Sequence, residues 1–106
     1  MTGSLAGRVA LVTGGGRGVG RGISMALAAD GATVAVNYRR DSESAEETVA
    51  AIVAAGGKAQ AYSASVDDYG QNAEMVAAIE ADHGAIGILV NNAGIASRGQ
   101  SVEQTD

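Results

Sequence analysis

Short apolar runs alternate along this chain with longer segments in which apolar residues recur at helical spacing. A continuous apolar run that ends in turn residues is typical of a strand buried on both faces of a parallel sheet. The pattern predicts four such strands, at residues 8–13, 32–38, 58–64 and 86–90, of which 58–64 has the weakest signal.

Helical spacing in the segments between the strands predicts helices at residues 18–30, 42–55 and 68–83. Each expected buried face is made of the recurring apolar residues, with a histidine added in the third helix. These faces are Val19, Ile23, Ala26 and Leu27 in the first helix, Ala45, Val49, Ile52 and Val53 in the second, and Val76, Ile79 and His83 in the third.

The expected helix ends carry recognisable residues. Gly31 follows the first helix and the pair at 56–57 follows the second, where glycine commonly ends a helix. His83 precedes Gly84 at the end of the third helix, where an imidazolium would favourably meet the last carbonyl groups.

The helix starts leave a choice of caps. Ser44 and Glu47 have capping-box spacing at the second helix, although Asp41 or Ser42 would serve equally as its cap. The acids at 67–68 are expected to be ordinary cap and dipole residues of the third helix.

Strands and helices of these lengths form a βαβαβαβ pattern, which implies parallel pairing through right-handed crossovers. We therefore predict an α/β fold with a doubly wound, Rossmann-like parallel sheet in the strand order 3-2-1-4. At 106 residues the chain provides about one domain. Residues 95–106 are polar, have no core pattern and are predicted to form a loop.

Composition and charge argue against several classes of protein. The sequence contains no cysteine and a single histidine, which leaves neither disulfides nor a thiolate or multi-histidine metal site. The formal charge is −5 and the basic residues are scattered, so no nucleic-acid partner is expected. No apolar stretch reaches the roughly 18 residues of a membrane span, and no signal-peptide pattern is present, so a cytoplasmic location is expected.

The first strand leads directly into a glycine-rich turn at residues 13–20, TGGGRGVG. A strand, a glycine turn and a helix in this order place backbone N–H groups and a helix N-terminus where a phosphate can sit. The glycines lack the spacing of the standard dinucleotide fingerprint. The P-loop pattern also fails, because Arg21 and Gly22 replace its lysine and its hydroxyl residue, so nucleotide hydrolysis is not expected.

A second turn, Asn91-Asn92-Ala93-Gly94, directly follows the fourth strand. Alone, it could be a turn whose amides satisfy neighbouring backbone groups. In the predicted strand order, however, the first and fourth strands end on the same edge of the sheet, at the switch point where ligands bind in such folds. The two turns are therefore expected to lie side by side.

Together the two turns resemble the motifs of the short-chain dehydrogenase/reductase family. Thr13, Gly14, Gly18 and Gly20 match its pattern Thr-Gly-x-x-x-Gly-x-Gly, and essentially the whole chain is similar to bacterial 3-oxoacyl-acyl-carrier-protein reductases and glucose dehydrogenase-like members. The resemblance implies a cofactor site in both turns. Its residues would be Gly14, Gly15, Gly16, Arg17, Gly18, Val19 and Gly20 around the pyrophosphate and adenosine ribose, and Asn91, Ala93 and Gly94 along the cofactor cleft.

The resemblance also implies an adenine contact at Ser65 and Val66, after the third strand. The family usually has an aspartate in place of Ser65, so this chain departs from the pattern at the adenine amino group. Gly87 replaces an acid that is common in the fourth strand, a change expected to affect packing more than chemistry.

The end of the second strand bears on the choice of cofactor. NAD-type sites place an acidic residue there to bind the ribose 2′-hydroxyl. Here Tyr38 is followed by Arg39 and Arg40, and Arg17 lies in the glycine turn, so guanidinium groups could bind a 2′-phosphate. NADP(H) is therefore predicted in preference to NAD(H). The alternative is that Arg39 and Arg40 are solvated loop charges that balance nearby acids.

The catalytic Tyr-x-x-x-Lys pair of the family is absent, because Tyr38, Tyr62 and Tyr69 all lack a lysine four residues later. Residues 1–106 are thus expected to be the N-terminal, cofactor-binding half of one incomplete Rossmann-like domain in an NADP(H)-dependent oxidoreductase. A complementary C-terminal segment or a homo-oligomer is expected to cover the edge of the fourth strand. The alternative is a non-enzymatic nucleotide-binding or interaction module formed by the half-fold alone.

Overall fold

Four strands in one sheet, connected by three helices, make up the computed structural model, which describes residues 4–92. The elements are β1 (Val9–Val12), α1 (Gly18–Ala29), β2 (Thr33–Tyr38), α2 (Ser42–Ala54), β3 (Lys58–Ser63), α3 (Tyr69–His83) and β4 (Ile86–Val90). All pairs are parallel and the order is β3-β2-β1-β4. The predicted α/β class and strand order are confirmed, and the predicted bounds differ by at most one residue at either end.

Two apolar cores lie on opposite faces of the sheet, because successive residues of a strand point to opposite sides. Helices α1 and α2 cover one face, and α3 covers the other. The first core includes Ala10, Val12, Val34, Val36, Ala28, Ala45 and Ile52, and the second includes Val9, Leu11, Ala35, Tyr62, Met75 and Ile79. Strands β1 and β2 are therefore buried on both sides, which explains their continuous apolar runs.

The buried faces of α1 and α2 differ from the predicted ones. Val19 and Val53, both expected to be buried, are 73% and 54% exposed. In α1 the buried residues are Gly20, Ser24 and Ala28. In α2, Ala45 and Ile52 are buried as predicted, together with Thr48. Ser24 and Thr48 are buried because their hydroxyls donate hydrogen bonds to the glycine-rich turn. The spacing of apolar residues cannot predict burial that depends on such polar contacts.

Aspartates cap the second and third helices. The Asp41 carboxylate accepts the backbone N–H of Ser44 at the start of α2, over 3.0 Å. The Asp68 carboxylate accepts the N–H of Gln71 at the start of α3, also over 3.0 Å. The capping-box prediction for Ser44 and Glu47 is therefore wrong, whereas Asp41, one of its alternatives, and Asp68 are confirmed as caps.

The end of α3 packs against β3. The His83 ring meets the Tyr62 ring edge-on, with 6.3 Å between centroids. The Tyr62 hydroxyl donates to the Asp82 carboxylate over 2.7 Å, and burial together with this carboxylate raises the pKa of Tyr62. The buried Nε2 of His83 has no hydrogen-bond partner within residues 4–92. The ring thus packs on Tyr62, and the expected contact with the last carbonyl groups of the helix is wrong for this nitrogen.

The outer edge of β4 pairs with no strand in the described part of the chain. Leu89 of β4 is the register partner of Leu11 in β1, so both side chains point to the α3 side of the sheet. Leu11 is 3% exposed and Leu89 is 65% exposed. Helix α3 therefore covers this face at β1 and at Ile86, the first residue of β4, and leaves it open at Leu89.

Residues 4–92 contain neither a cluster of metal-binding side chains nor a membrane-spanning helix. No group of three histidine, aspartate or glutamate side chains there is placed to hold a metal ion. No helix in that range is long and apolar enough to cross a membrane.

Candidate functional site

A cleft of about 940 Å³ opens at the carboxyl ends of β1, β2 and β4. Three segments supply most of its lining, and each follows one of these strands. They contribute Gly14, Gly16, Arg17, Gly18 and Val19 after β1, Asn37, Tyr38, Arg39, Arg40 and Asp41 at the end of β2, and Val90 and Asn92 at the end of β4. The cleft thus lies at the switch in strand order, where the sequence predicts a ligand site.

The glycine-rich turn is built without room for side chains. A Cβ on Gly15 would lie 2.7 Å from the Ser24 hydroxyl oxygen, and one on Gly16 would lie 2.8 Å from the Cα of Ala45. Gly18 has a φ of 57°, a conformation that side chains other than glycine rarely adopt. The backbone of the turn therefore packs directly against α1 and α2 at Gly15 and Gly16.

Helix α1 begins at this turn without a side-chain cap. Arg17 occupies the N-cap position with extended backbone, and its side chain makes no capping hydrogen bond in the described structure. The first N–H groups of a helix lack partners inside the helix. Together with the helix dipole, these N–H groups form a site suited to a phosphate.

Buried hydroxyl groups on the helices hold the carbonyl groups of the turn. The Ser24 hydroxyl donates to the backbone oxygen of Gly15 over 3.0 Å, and the Thr48 hydroxyl donates to that of Gly16 over 2.7 Å. Both side chains are fully buried. These bonds tie the carbonyl groups of Gly15 and Gly16 to α1 and α2 and so fix the turn against both helices.

The two motifs meet at the ends of β1 and β4, as predicted. The backbone N–H of Thr13 donates to the oxygen of Val90 over 3.0 Å, and the Thr13 hydroxyl lies 3.2 Å from Oδ1 of Asn91. The side-chain amide of Asn92 donates to the backbone oxygen of Gly14 over 3.0 Å. The other predicted members of this turn, residues 93–94, lie outside the described residues.

Asn37 is a central residue of the site that the sequence reasoning missed. Its side chain is 2% exposed, and its Oδ1 accepts the N–H of Gly14 over 3.1 Å. Its Nδ2 donates to the oxygen of Ala64 over 3.1 Å, just beyond β3. The available signal was an amide side chain directly after the apolar run at residues 34–36. Asn37 connects the glycine turn to the carboxyl ends of both β2 and β3.

Three arginines stand at the mouth of the cleft. Arg17 pairs with Asp41, with 3.4 Å between Nη1 and Oδ2. Arg39 and Arg40 are exposed cleft residues that form no ion pair within residues 4–92. In the alternative interpretation, Arg39 and Arg40 balance nearby acids, and one of these acids, Asp41, pairs with Arg17. Hydrogen bonds from the backbone and hydroxyl of Ser44, followed by the charge of Arg17, lower the pKa of Asp41.

Ser65 and Val66 lie just beyond β3, on the same edge of the sheet, but are not part of the cleft lining. Both are half-buried. The N–H of Ser65 donates to the side-chain oxygen of Gln71 over 2.9 Å. Their contact with an adenine ring stays a prediction.

Comparison with known proteins identifies the fold family. The family model described as short chain dehydrogenase matches residues 8–106. A short-chain dehydrogenase/reductase homolog of Bacillus subtilis, YusS, is 52% identical over 88 residues, covering 83% of this chain and 81% of that protein. An uncharacterized oxidoreductase of Escherichia coli, YgfF, is 46% identical over 82% of this chain, but the match spans only 35% of that protein.

A solved structure gives the same result in three dimensions. A short chain dehydrogenase from Burkholderia cenocepacia, in complex with NADP, superposes with a TM-score of 0.78 at 44% identity. The match covers 82% of this chain and 36% of that one. This chain therefore spans about a third of the length of these longer oxidoreductases, and it belongs to the short-chain dehydrogenase family.

Proposed function

We propose that this chain supplies the NADP(H)-binding portion of an oxidoreductase that interconverts ketones and alcohols. The observation that carries the proposal is the cleft at the strand switch, with an uncapped helix N-terminus on one side and three arginines at its mouth. A dinucleotide with an additional phosphate needs both features.

The residues present fit such a cofactor. The N-terminus of α1 faces the cleft without a side-chain cap, so its first N–H groups would bind the pyrophosphate. Arg17, Arg39 and Arg40 would bind the 2′-phosphate, because Tyr38 stands where an NAD-type site has an acid. When bound, the nicotinamide would exchange a hydride with a substrate carbon.

Substrate class is the finer part of the proposal. The resemblance to 3-oxoacyl-acyl-carrier-protein reductases favours a ketone such as a 3-oxoacyl thioester, which would be reduced to the alcohol. The proton donor would come from a Tyr-x-x-x-Lys segment that this sequence does not contain. That segment would belong to a complementary C-terminal piece.

The open face and free edge of β4 support this arrangement. Leu89 is largely exposed, and the outer edge of β4 has no partner within residues 4–92. Exposed strand edges and apolar faces are normally covered in stable proteins. We therefore propose that the complementary segment, or a second copy of the chain, packs here.

Two measurements on purified protein test the function. Intact mass shows whether a second polypeptide accompanies the chain, and titration with NADPH and NADH measures binding. We expect NADPH to bind more tightly than NADH, and NADPH oxidation by a ketone panel only in preparations that contain a Tyr-x-x-x-Lys segment. Equal affinity would overturn the NADP(H) assignment. If a preparation with that segment binds NADPH but does not oxidise it with any ketone, the result would favour the alternative, a non-enzymatic nucleotide-binding module.

A further inference from the structure

Arg17 and Asp41 form an ion pair across the mouth of the cleft. Arg17 lies in the glycine turn and Asp41 lies just beyond β2, and Nη1 is 3.4 Å from Oδ2. The side chains are 78% and 39% exposed. Both residues belong to the same lining as Arg39 and Arg40. One of the three guanidinium groups is therefore already engaged by a carboxylate of the site.

The Asp41 carboxylate is held in place by the helix that it caps. Its Oδ1 accepts the N–H of Ser44 over 3.0 Å, and its Oδ2 accepts the Ser44 hydroxyl over 2.8 Å. The same hydrogen bonds keep its pKa below the usual value. Asp41 thus presents a fixed negative charge to Arg17 at neutral pH.

We infer that Asp41 is a specificity-determining residue that competes with the 2′-phosphate of NADP(H) for Arg17 and so limits the preference for the phosphorylated cofactor. The inference rests on the proposed function. An exposed ion pair is weak in water, whereas a phosphate carries more charge and accepts bidentate bonds from arginine. When NADP(H) binds, Arg17 would therefore leave the Asp41 carboxylate and bind the 2′-phosphate. The negative charge of Asp41 would still repel that phosphate.

The test separates the charge of Asp41 from its role as a cap. Asp41→Ser keeps a good N-cap and removes the charge. The full chain is titrated by calorimetry with adenosine 2′,5′-bisphosphate and with adenosine 5′-monophosphate, which differ by the 2′-phosphate. We expect Asp41→Ser to bind the bisphosphate about 3- to 10-fold more tightly, and to change monophosphate affinity by less than about twofold.

Glu43→Gln is the matched control. Glu43 is an exposed acid in the first turn of α2, two positions from Asp41, and is not part of the cleft lining. The substitution removes one negative charge from the same region and leaves the ion pair of Arg17 with Asp41 in place. We expect it to change bisphosphate affinity by less than about twofold, because solvent screens an exposed charge. A gain as large as that of Asp41→Ser would overturn the inference.

An Arg17→Met background tests competition for the arginine itself. In that background, Asp41→Ser should increase the bisphosphate affinity by a smaller factor, because there is no Arg17 guanidinium to free from the ion pair. An equal gain with and without Arg17 would mean plain repulsion and overturn the inference, as would an unchanged or weaker bisphosphate affinity in Asp41→Ser. If the wild-type chain binds the bisphosphate no more tightly than the monophosphate, the proposed NADP(H) preference is overturned. The inference about Asp41, which depends on that preference, is then overturned as well.

Discussion

The side-chain amide of Asn92, after β4, donates a hydrogen bond to the backbone oxygen of Gly14, after β1, over 3.0 Å. The two residues are 78 positions apart in the sequence. Gly20 in α1 lies against both partners, because a Cβ there would approach the amide nitrogen to 2.7 Å and overlap the Gly14 oxygen. Three segments thus meet at one point, beside the cleft, and only a glycine fits between them.

Gly20→Ala should destabilise the chain and weaken cofactor binding. The added methyl group has to displace backbone and the Asn92 amide, and overpacking of this kind costs about 1–3 kcal/mol. Urea unfolding followed by circular dichroism measures the stability, and NADPH titration measures the binding.

Gly22→Ala provides the control in the same helix. A Cβ at Gly22 meets no atom within 4 Å, and alanine is the better helix former by about 1 kcal/mol. We expect this variant to be at least as stable as wild type, with unchanged NADPH affinity. Equal destabilisation by both substitutions would show that the contact at Gly20 is not what matters.

Asn37→Ala should loosen the glycine turn from inside the protein. The substitution leaves the N–H of Gly14 and the oxygen of Ala64 without their side-chain partner, and an unpaired buried group costs about 1–3 kcal/mol. We expect a lower free energy of unfolding and faster hydrogen exchange at the Gly14 N–H, measured by NMR.

Asn72→Ala is the comparison for this substitution. Asn72 lies on α3, is half-buried, and its side chain makes no hydrogen bond within residues 4–92. Its replacement should leave the exchange of the Gly14 N–H unchanged. If exchange at Gly14 were as slow in Asn37→Ala as in wild type, the side chain of Asn37 would have no part in shaping the turn.

The fold could be predicted because its strongest signals are local. Residues 9–12 and 33–38 are buried on both faces of the sheet, so their runs are nearly continuously apolar. Glycines follow close after all three helices, and aspartates cap the starts of α2 and α3. From the strand order alone, the turns at 13–20 and 91–94 belong on one edge.

The support behind the site could not be predicted in the same way. Ser24 and Thr48 look like breaks in an apolar pattern, yet each is buried by a bond to a carbonyl of the glycine turn. Asn37 has partners in segments 23 and 27 positions away. The roles of such polar residues depend on tertiary contacts, and the periodicity of a single helix or strand does not predict those contacts.

Arg39→Asp should reverse the cofactor preference. It replaces a cation that would bind the 2′-phosphate with a carboxylate that repels it and can accept the ribose 2′-hydroxyl. A lost charge-assisted bond is worth about 1.5 kcal/mol or more, so NADPH should bind about tenfold or more weakly, while NADH gains.

Lys58→Asp makes the same change of charge at the opposite end of the sheet. Lys58 is exposed at the start of β3, opposite Thr33. This variant should keep the wild-type ratio of NADPH to NADH affinity in fluorescence titrations. Unchanged selectivity in Arg39→Asp would remove Arg39 from the 2′-phosphate site.

Acid should release the cap of α2. The folded state lowers the pKa of Asp41 below its ordinary value, so the carboxylate stabilises the fold fully above the ordinary value and progressively less as the pH falls through the lower folded value. In thermal unfolding scans from pH 7 to pH 2.5, wild type should lose stability relative to Asp41→Ser only below about pH 4. Glu43→Gln should follow the wild-type curve more closely there, because Asp41 remains the cap. Parallel wild-type and Asp41→Ser curves over the whole range would mean that the ionised carboxylate of Asp41 does not stabilise α2.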